Sequence, residues 1–182
     1  MRAFIAIDLP SDIHKELARW QATFRPLTSG ARWTHPEGIH LTLKFLGEIS
    51  DAQAGQVTAA LAALGAFAPF AVEFKNFGFF PDARRPRVFW AGVAAPADLA
   101  HLARRVEDAM EKIGFPPEQR PYSPHLTLAR FREPRPEPAL RDAVEKQADP
   151  LLGRFDVTEF FLYESKLNPK GAEYRKVERF PQ

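Results

Sequence analysis

The tetrapeptide His-Leu-Thr-Leu occurs twice in this chain, at residues 40–43 and again at residues 125–128. The two histidines, His40 and His125, are therefore 85 residues apart (125 − 40). The same shift aligns two further pairs of stretches without a gap: residues 2–6 with 87–91, and residues 70–72 with 155–157. Because one shift aligns three separate stretches, the sequence indicates an internal structural duplication. We expect two similar halves that share one interface.

The order of predicted elements favours an α+β fold. Each half reads strand, helix, short strand, motif strand, helix and strand, and no glycine-rich phosphate loop supports a doubly wound parallel sheet. We expect a single bilobal domain over residues 1–182, with repeat halves at approximately 1–85 and 86–182. Each pseudo-symmetric lobe should be a mainly antiparallel sheet with helices outside, and the active-site cleft should lie between the sheets.

Local patterns predict individual elements. An apolar stripe predicts the first helix, and it is formed by Ile13, Leu17, Trp20 and Phe24. His14 and His101 lie off the apolar stripes of their helices, so both are predicted to face solvent. Residues 155–163 are predicted to form one strand, and residues 173–180 a last strand at a sheet edge. Residues 78–86 are rich in turn formers and predict a mobile loop between the halves.

Composition limits the classes of function. The chain has no cysteine, which excludes disulfides, thiolate metal sites and a cysteine nucleophile. Its start is too soon interrupted by Asp8 to be a signal sequence, and no later run is long enough to span a bilayer. We therefore expect a soluble cytoplasmic protein. The formal net charge is only +2, so any attraction to nucleic acid must be local.

Each motif copy combines an acid/base group with a hydrogen-bond donor. Because successive side chains of a strand point to opposite faces, His40 shares a face with Thr42, and His125 with Thr127. An imidazole exchanges protons near neutral pH and a hydroxyl donates to an anionic oxygen. A single copy is equally well explained as a buried strand histidine. Two copies at the repeat spacing favour one shared phosphate-handling site.

Two imidazoles on opposite sides of a phosphorus atom are sufficient for metal-free cleavage of a phosphoester, one as base and one as acid. Thr42 and Thr127 would hold the non-bridging oxygens, and Arg130, which closely follows the second motif, would add a charged donor. A metal site is the competing use of histidine. It is disfavoured because His35 lies across a turn from His40 and because regular alternation places Lys44 on the His40 face.

A site without metal assistance suits a strained substrate, and a nucleoside 2′,3′-cyclic phosphate fits that description. Arginines cluster at residues 84–87 and 130–135, where they would contact neighbouring phosphates of an RNA end, although a solvated basic rim explains each one about equally well. Four aromatic residues are candidates for stacking on a base, each of which taken singly is better explained as core: Trp33, Phe45, Tyr122 and Phe131.

At the paired motifs the sequence resembles the two-histidine phosphoesterase superfamily, and within it the RNA 2′,3′-cyclic phosphodiesterases, also called 2′-5′ RNA ligases. The likeness covers nearly the whole chain. Beyond the motifs it rests on residues 2–8, 40–48, 86–90 and 162–165, on Pro169 with Gly171, and on Tyr174.

The resemblance implies a bilobal α+β fold and hydrolysis of 2′,3′-cyclic phosphate ends of RNA to 2′-phosphomonoesters. His40 would give a proton to the 3′ leaving oxygen, and His125 would accept one from the attacking water. It implies no metal or other cofactor, no membrane and no obligate protein partner; RNA ends, tRNA halves among them, or small cyclic nucleotides would be the substrates. Two alternatives stay open: a 2′-5′ RNA ligase or 2′-5′ phosphodiesterase at the same site, and a nucleotide-binding module without catalysis.

Overall fold

The computed structural model describes residues 1–182, which form nine strands and four helices. The strands are β1 (Arg2–Ile7), β2 (Ala31–Trp33), β3 (Leu41–Glu48), β4 (Phe70–Phe80), β5 (Val88–Ala94), β6 (His125–Phe131), β7 (Leu151–Val157), β8 (Phe160–Asn168) and β9 (Gly171–Phe180). The helices are α1 (Ser11–Phe24), α2 (Asp51–Ala62), α3 (Ala97–Lys112) and α4 (Pro138–Glu145). Short 3₁₀ turns lie at Arg25–Leu27 and Pro36–Gly38.

The strands form two antiparallel sheets, in the orders β3-β1-β8-β9 and β2-β6-β5-β4-β7. The predicted α+β class is therefore confirmed. Each sheet combines strands from before and after residue 85, since β8 joins β1 in one sheet and β4 joins β5 in the other. The proposed repeat boundary itself stays a prediction. Under the 85-residue shift β1 corresponds to β5 and β3 to β6, so each motif strand pairs with an equivalent neighbour.

One continuous cluster of buried apolar side chains connects the sheets and the helices. Its members include Ile5 on β1, Leu41 on β3, Phe89 on β5 and Leu126 on β6, none of which has measurable exposure. Helix α1 contributes the predicted stripe, and all four of its members are buried. The shared core fixes the two sheets, and hence the two motif strands, relative to each other.

Two predicted strand boundaries are wrong. Residues 155–163 are not one strand, because Val157 pairs with Phe70 in one sheet whereas Phe160 pairs with Phe180 in the other, and the chain crosses between them at residues 158–159. Strand β4 runs on to Phe80, since the end of this strand pairs with β5, so the connection is shorter than predicted. The predicted edge strand at residues 173–180 is confirmed as part of β9.

The two helical histidines differ from each other. His101 is exposed, as predicted, but His14 is half-buried, and its Nε2 lies 3.2 Å from the carbonyl oxygen of Ile39. The prediction for His14 is wrong because the turn that leads into β3 packs over α1. None of the helices combines the length and the apolar character needed to cross a membrane.

Candidate active site

Each motif strand contains a β-bulge at the same motif position. In β3, Lys44 lies opposite Ile5 and Thr42 lies opposite Ala6, so Leu43 is the extra residue. In β6, Ala129 lies opposite Phe89 and Thr127 lies opposite Trp90, so Leu128 is the extra residue. Leu43 and Leu128 are related by the 85-residue shift. A bulge interrupts the alternation of faces, and here it does so identically in both copies.

The bulge in β6 brings Arg130 to the face of the two motif side chains. Regular alternation would place Arg130 on the buried face, four residues after Leu126 and on the same side of the strand. In the structure Leu128 and Ala129 are both buried instead, and Arg130 is exposed. His125, Thr127 and Arg130 therefore project from the same side of β6.

The bulge in β3 overturns the prediction that Lys44 shares a face with His40. Lys44 is buried, and its Nζ donates to Oε1 of Glu107 on α3 at 2.6 Å and to the carbonyl oxygen of Pro116 at 3.0 Å. Phe45 takes the open face, where it is 71% exposed and its ring lies 6.1 Å from that of Phe4. Phe45 and Arg130 thus hold equivalent positions in the two copies.

The two motif strands meet between the sheets. Strand β3 is an edge strand, and β2 pairs with β6 only at Ala129–Phe131, which leaves the motif part of β6 uncovered on that side. Strands β3 and β6 are also in contact with each other. The Tyr122 hydroxyl, just before the second motif, donates to the carbonyl oxygen of Thr42 in the first at 3.0 Å. This hydrogen bond ties the segment before the second motif to the backbone of the first motif.

His40 lies against three aromatic rings. Ring centroids of Tyr163, Tyr174 and Phe4 are 4.5, 5.2 and 5.7 Å from that of the imidazole. Tyr174 forms the outer wall and passes over Gly38, where a Cβ atom would lie 2.8 Å from the tyrosine ring. A larger residue at position 38 would therefore displace Tyr174 from His40.

This burial changes the protonation of His40. Its pKa is lowered to about 4, chiefly because burial disfavours the charged imidazolium. Electrostatic interactions with His14 and Lys176 also lower it, whereas Asp8 and a hydrogen bond to the Gly38 backbone oppose the shift. His40 is therefore neutral at pH 7 in the free protein. Burial also raises the pKa of Tyr122 and that of Tyr163, so neither hydroxyl is a base at neutral pH.

The hydrogen bond of His125 defines its tautomer. Nδ1 lies 2.9 Å from the carbonyl oxygen of Ser123. Because a carbonyl oxygen only accepts, Nδ1 carries the proton, and in the neutral ring Nε2 has a free lone pair. The edge of the ring also contacts Phe80, with ring centroids 5.0 Å apart at 88°. Neutral His125 is thus arranged to accept a proton at Nε2.

Trp90 forms a wall beside the second motif. It lies opposite Thr127 in the β5–β6 pair and opposite Gly78 in the β4–β5 pair. A Cβ atom at Gly78 would lie 2.2 Å from the indole ring, so glycine is required there. The position of Trp90 depends on the pairing of β5 with β4 and β6, which the sequence did not reveal. Trp90 itself lies within residues 86–90, one of the stretches on which the family resemblance rests.

The structure sorts the four aromatic residues that the sequence singled out for stacking. Phe131 is buried, Trp33 is half-buried against Phe89, and Tyr122 is tied to Thr42. Phe45 alone presents a largely free face. Sequence reasoning gave no role to Phe4, Tyr163 or Tyr174, because no local pattern predicts contacts between β1, β3, β8 and β9.

The residue types that lie close together bear on whether the protein could hold a metal ion. No three histidine, aspartate or glutamate side chains come together in a group able to hold a metal ion. His35, which is close to the first motif in sequence, is exposed and pairs with the carboxylate of Glu37.

Gln21 was not predicted and anchors the second bulge. It is fully buried on α1, and its Nε2 donates to the carbonyl oxygens of Thr34 at 2.7 Å and of Leu128 at 3.1 Å. The Leu128 carbonyl also accepts from the backbone nitrogen of Thr34 at 2.9 Å. In the sequence Gln21 is a single glutamine beside an apolar stripe. Local reasoning assigns such a glutamine to solvent.

Replacing Gln21 with methionine is expected to lower the free energy of unfolding by about 1 kcal/mol, because the partly buried Thr34 carbonyl loses its donor while the Leu128 carbonyl keeps the backbone donor of Thr34. Urea unfolding measures this directly. Gln56→Met, at an exposed position of α2, is the matched control and should be nearly neutral. Equal stability of the two variants would show that the Gln21 hydrogen bonds do not hold the bulge.

Comparisons with known proteins agree with this geometry. The sequence profile of the family described as LigT like Phosphoesterase matches residues 7–90 and 93–174. An RNA 2′,3′-cyclic phosphodiesterase of Methanothermobacter thermautotrophicus is 32% identical over 181 residues, which cover 99% of this chain and 98% of that protein. A solved structure from Thermus thermophilus has a TM-score of 0.83 at 31% identity, covering 99% of this chain and 97% of that one.

The structure of E. coli LigT complexed with 3′-AMP has a TM-score of 0.79 at 28% identity, covering 98% of this chain and 96% of that one. Together these matches confirm the predicted membership of the two-histidine phosphoesterase superfamily and the expectation of an enzyme. From the profile match over most of its length, this chain belongs to the LigT-like phosphoesterase family.

Proposed function

We propose that this protein hydrolyses 2′,3′-cyclic phosphate ends of RNA to 2′-phosphomonoesters, without a metal, by acid/base catalysis between His40 and His125. The observation that carries the proposal is the pair of matching bulged motif strands, which meet between the sheets with a histidine and a threonine on each open face. The names of full-length relatives and the nucleotide bound to E. coli LigT support the substrate class.

The proposed reaction uses the histidines on opposite sides of the phosphorus atom. His125 takes a proton from water at Nε2, which is free because Nδ1 donates to Ser123. The water oxygen forms a bond to phosphorus, and the bond from phosphorus to the 3′ oxygen breaks. His40 gives its proton to that oxygen, which leaves a 3′-hydroxyl and a 2′-phosphomonoester.

His40 must be charged to act as the acid, although it is neutral in the free protein. A bound phosphodiester anion stabilises the imidazolium because opposite charges within a few ångströms favour the ionised form. Substrate binding thus raises the pKa of His40, so that the imidazole takes up from solvent the proton that the acid needs. Thr42, Thr127 and Arg130 would donate to the non-bridging oxygens, and Phe45 would stack on the terminal base.

The experiment that tests this function is incubation of an RNA oligonucleotide ending in a 2′,3′-cyclic phosphate with the protein and excess chelator. We expect complete conversion to the 2′-phosphate end, identified by product analysis. A joined product with a 2′-5′ bond would instead support the ligase alternative. Tight binding of the oligonucleotide with no product would identify a nucleotide-binding module and refute the proposal.

The cytoplasmic location expected from the sequence stays a prediction. The sequence leaves the length of the RNA substrate open, and the arrangement of arginines bears on it.

A further inference from the structure

The arginines of this protein fall into two groups. One group, spread over the helices and the outer strands, is paired with carboxylates at up to 4 Å, as in Arg19–Glu16, Arg104–Asp108, Arg141–Asp142, Arg154–Glu73, Arg175–Glu164 and Arg179–Glu159. The other group has no such partner. Five of its members surround the end of β6, namely Arg32, Arg87, Arg130, Arg132 and Arg135, and the others are Arg2, Arg25, Arg84, Arg85, Arg105 and Arg120. Five of the eleven unpaired arginines therefore lie near one end of one sheet.

Three of these unpaired arginines line an open groove of about 410 Å³. One wall is formed by residues 29–32 at the edge strand β2, and the other by Arg132, Glu133 and Arg135 after β6. Gly30 leaves space for the Arg135 guanidinium, whose Nη2 would lie 3.4 Å from a Cβ atom at that position. Glu133 is also in the groove, but no carboxylate pairs with its arginines. We call this feature the arginine groove.

The arginine groove is continuous with the candidate active site. Arg32 lies directly opposite Arg130 in the β2–β6 pair. Side chains directly opposite each other in an antiparallel pair project from the same face, with Cβ atoms about 5 Å apart. Arg130 shares its face with Thr127 and His125, so a line of cationic side chains leads from the second motif through Arg130 and Arg32 into the groove.

We propose that the arginine groove binds the sugar-phosphate backbone of the RNA strand that leads to the cyclic end. This inference rests on the proposed function and specifies its substrate class as an oligoribonucleotide rather than a mononucleotide. A single terminal phosphate is already served by the histidines, the threonines and Arg130. Three further arginines without an ion-pair partner, with Glu133 and Glu137 nearby, leave the groove with an excess of positive charge that favours a chain of anions.

The groove contacts phosphates and not bases. Ala31 is its only hydrophobic lining residue, and it has no aromatic ring on which a base would stack. Binding through phosphates positions a strand without selecting its sequence. The groove therefore contributes affinity for any single-stranded RNA end of sufficient length.

The test compares Arg32→Ala/Arg132→Ala/Arg135→Ala with a charge-matched control, Arg104→Ala/Arg154→Ala/Arg179→Ala. All three groove positions are exposed, so folding should be preserved. For a cyclic mononucleotide we expect kcat/KM to be unchanged in both variants. For cyclic-ended oligonucleotides of two to eight nucleotides, wild-type kcat/KM should rise with length, and the groove variant should lose on the order of 10–100-fold at the longer lengths.

Salt dependence gives a second readout. Three lost phosphate contacts to a single strand should reduce the slope of log kcat/KM against log salt by about 2. The control variant should keep the wild-type slope. An equal loss of kcat/KM in the control variant would assign the effect to net charge. An equal loss of kcat/KM on the mononucleotide would assign it to the catalytic site. Either result overturns the proposal that the groove binds RNA.

Binding separates a failure of this inference from a failure of the proposed function. Fluorescence anisotropy of a labelled octaribonucleotide ending in a 3′-phosphate needs no turnover. Weaker binding by the groove variant alone supports the groove even if the wild type hydrolyses nothing. If the wild type hydrolyses cyclic ends but both variants bind the octamer equally, the groove inference fails and the proposed function stands.

Discussion

Replacing either His40 or His125 with alanine is expected to lower kcat/KM for hydrolysis of a 2′,3′-cyclic phosphate end by on the order of 10²–10⁴-fold, since each ring supplies one of the two proton transfers. Initial rates at pH 7 on a cyclic mononucleotide and on an oligonucleotide measure the loss. His101→Ala is the matched control, because His101 is exposed on α3 and away from the motif strands. It should keep wild-type turnover.

A variant with both His40 and His125 replaced by alanine gives a stricter test of the same prediction. If the rings act as one acid/base pair, removing both should cost little more than removing one, because the surviving partner has no complementary group. Circular dichroism and urea unfolding should show that both single variants remain folded. Turnover by the double variant within ten-fold of wild type would exclude acid/base catalysis by these histidines.

The parts of this site that could be predicted are those encoded by local periodicity. Alternation in a strand places His40 with Thr42 and His125 with Thr127, and an identical motif at a fixed shift indicates that two such faces are related. The structure adds that the strands meet. The prediction required only two-residue periodicity and one internal comparison, both of which are visible in a single sequence.

The bulges could not be predicted, and they determine which other side chains reach the site. Nothing in the residues 40–46 distinguishes regular alternation from a bulge at Leu43, because the irregularity is set by pairing with β1. Lys44 was therefore assigned to the wrong face. Arg130 was chosen for its nearness in sequence, whereas it reaches the open face only because β6 is bulged against β5.

Long-range packing accounts for the remaining differences. The aromatic surroundings of His40 come from β1, β8 and β9, and the order of strands in a sheet does not follow from local patterns. The crossing between β7 and β8 is a similar case, because each side of it is fixed by a partner strand far away in sequence. In residues 155–163, alternating apolar and polar side chains lead directly into an apolar run at 160–163, and this local pattern gives no sign of the division.

The surroundings of His40 predict a large dependence of stability on pH. An unfolded histidine titrates near 6.5, whereas the pKa of His40 in the folded protein is about 4. Between these values the unfolded state binds one more proton than the folded state, so protonation favours unfolding. The contribution is fully present above pH 6.5 and is lost as the pH falls toward 4, by on the order of 3 kcal/mol.

Urea unfolding of wild type and His40→Asn at pH 7.0 and pH 4.0 measures this contribution, because other titrating groups are common to both proteins and cancel in the comparison. We expect wild type to lose about 3 kcal/mol more than the variant over this interval. The same loss in both proteins would mean that His40 is not held neutral by its aromatic surroundings.

In NMR titrations, a nucleoside 2′-monophosphate should raise the pKa of His40, since its phosphate stabilises the imidazolium. A pKa that stays near 4 with the nucleotide bound would remove His40 from the role of acid and assign it that of base.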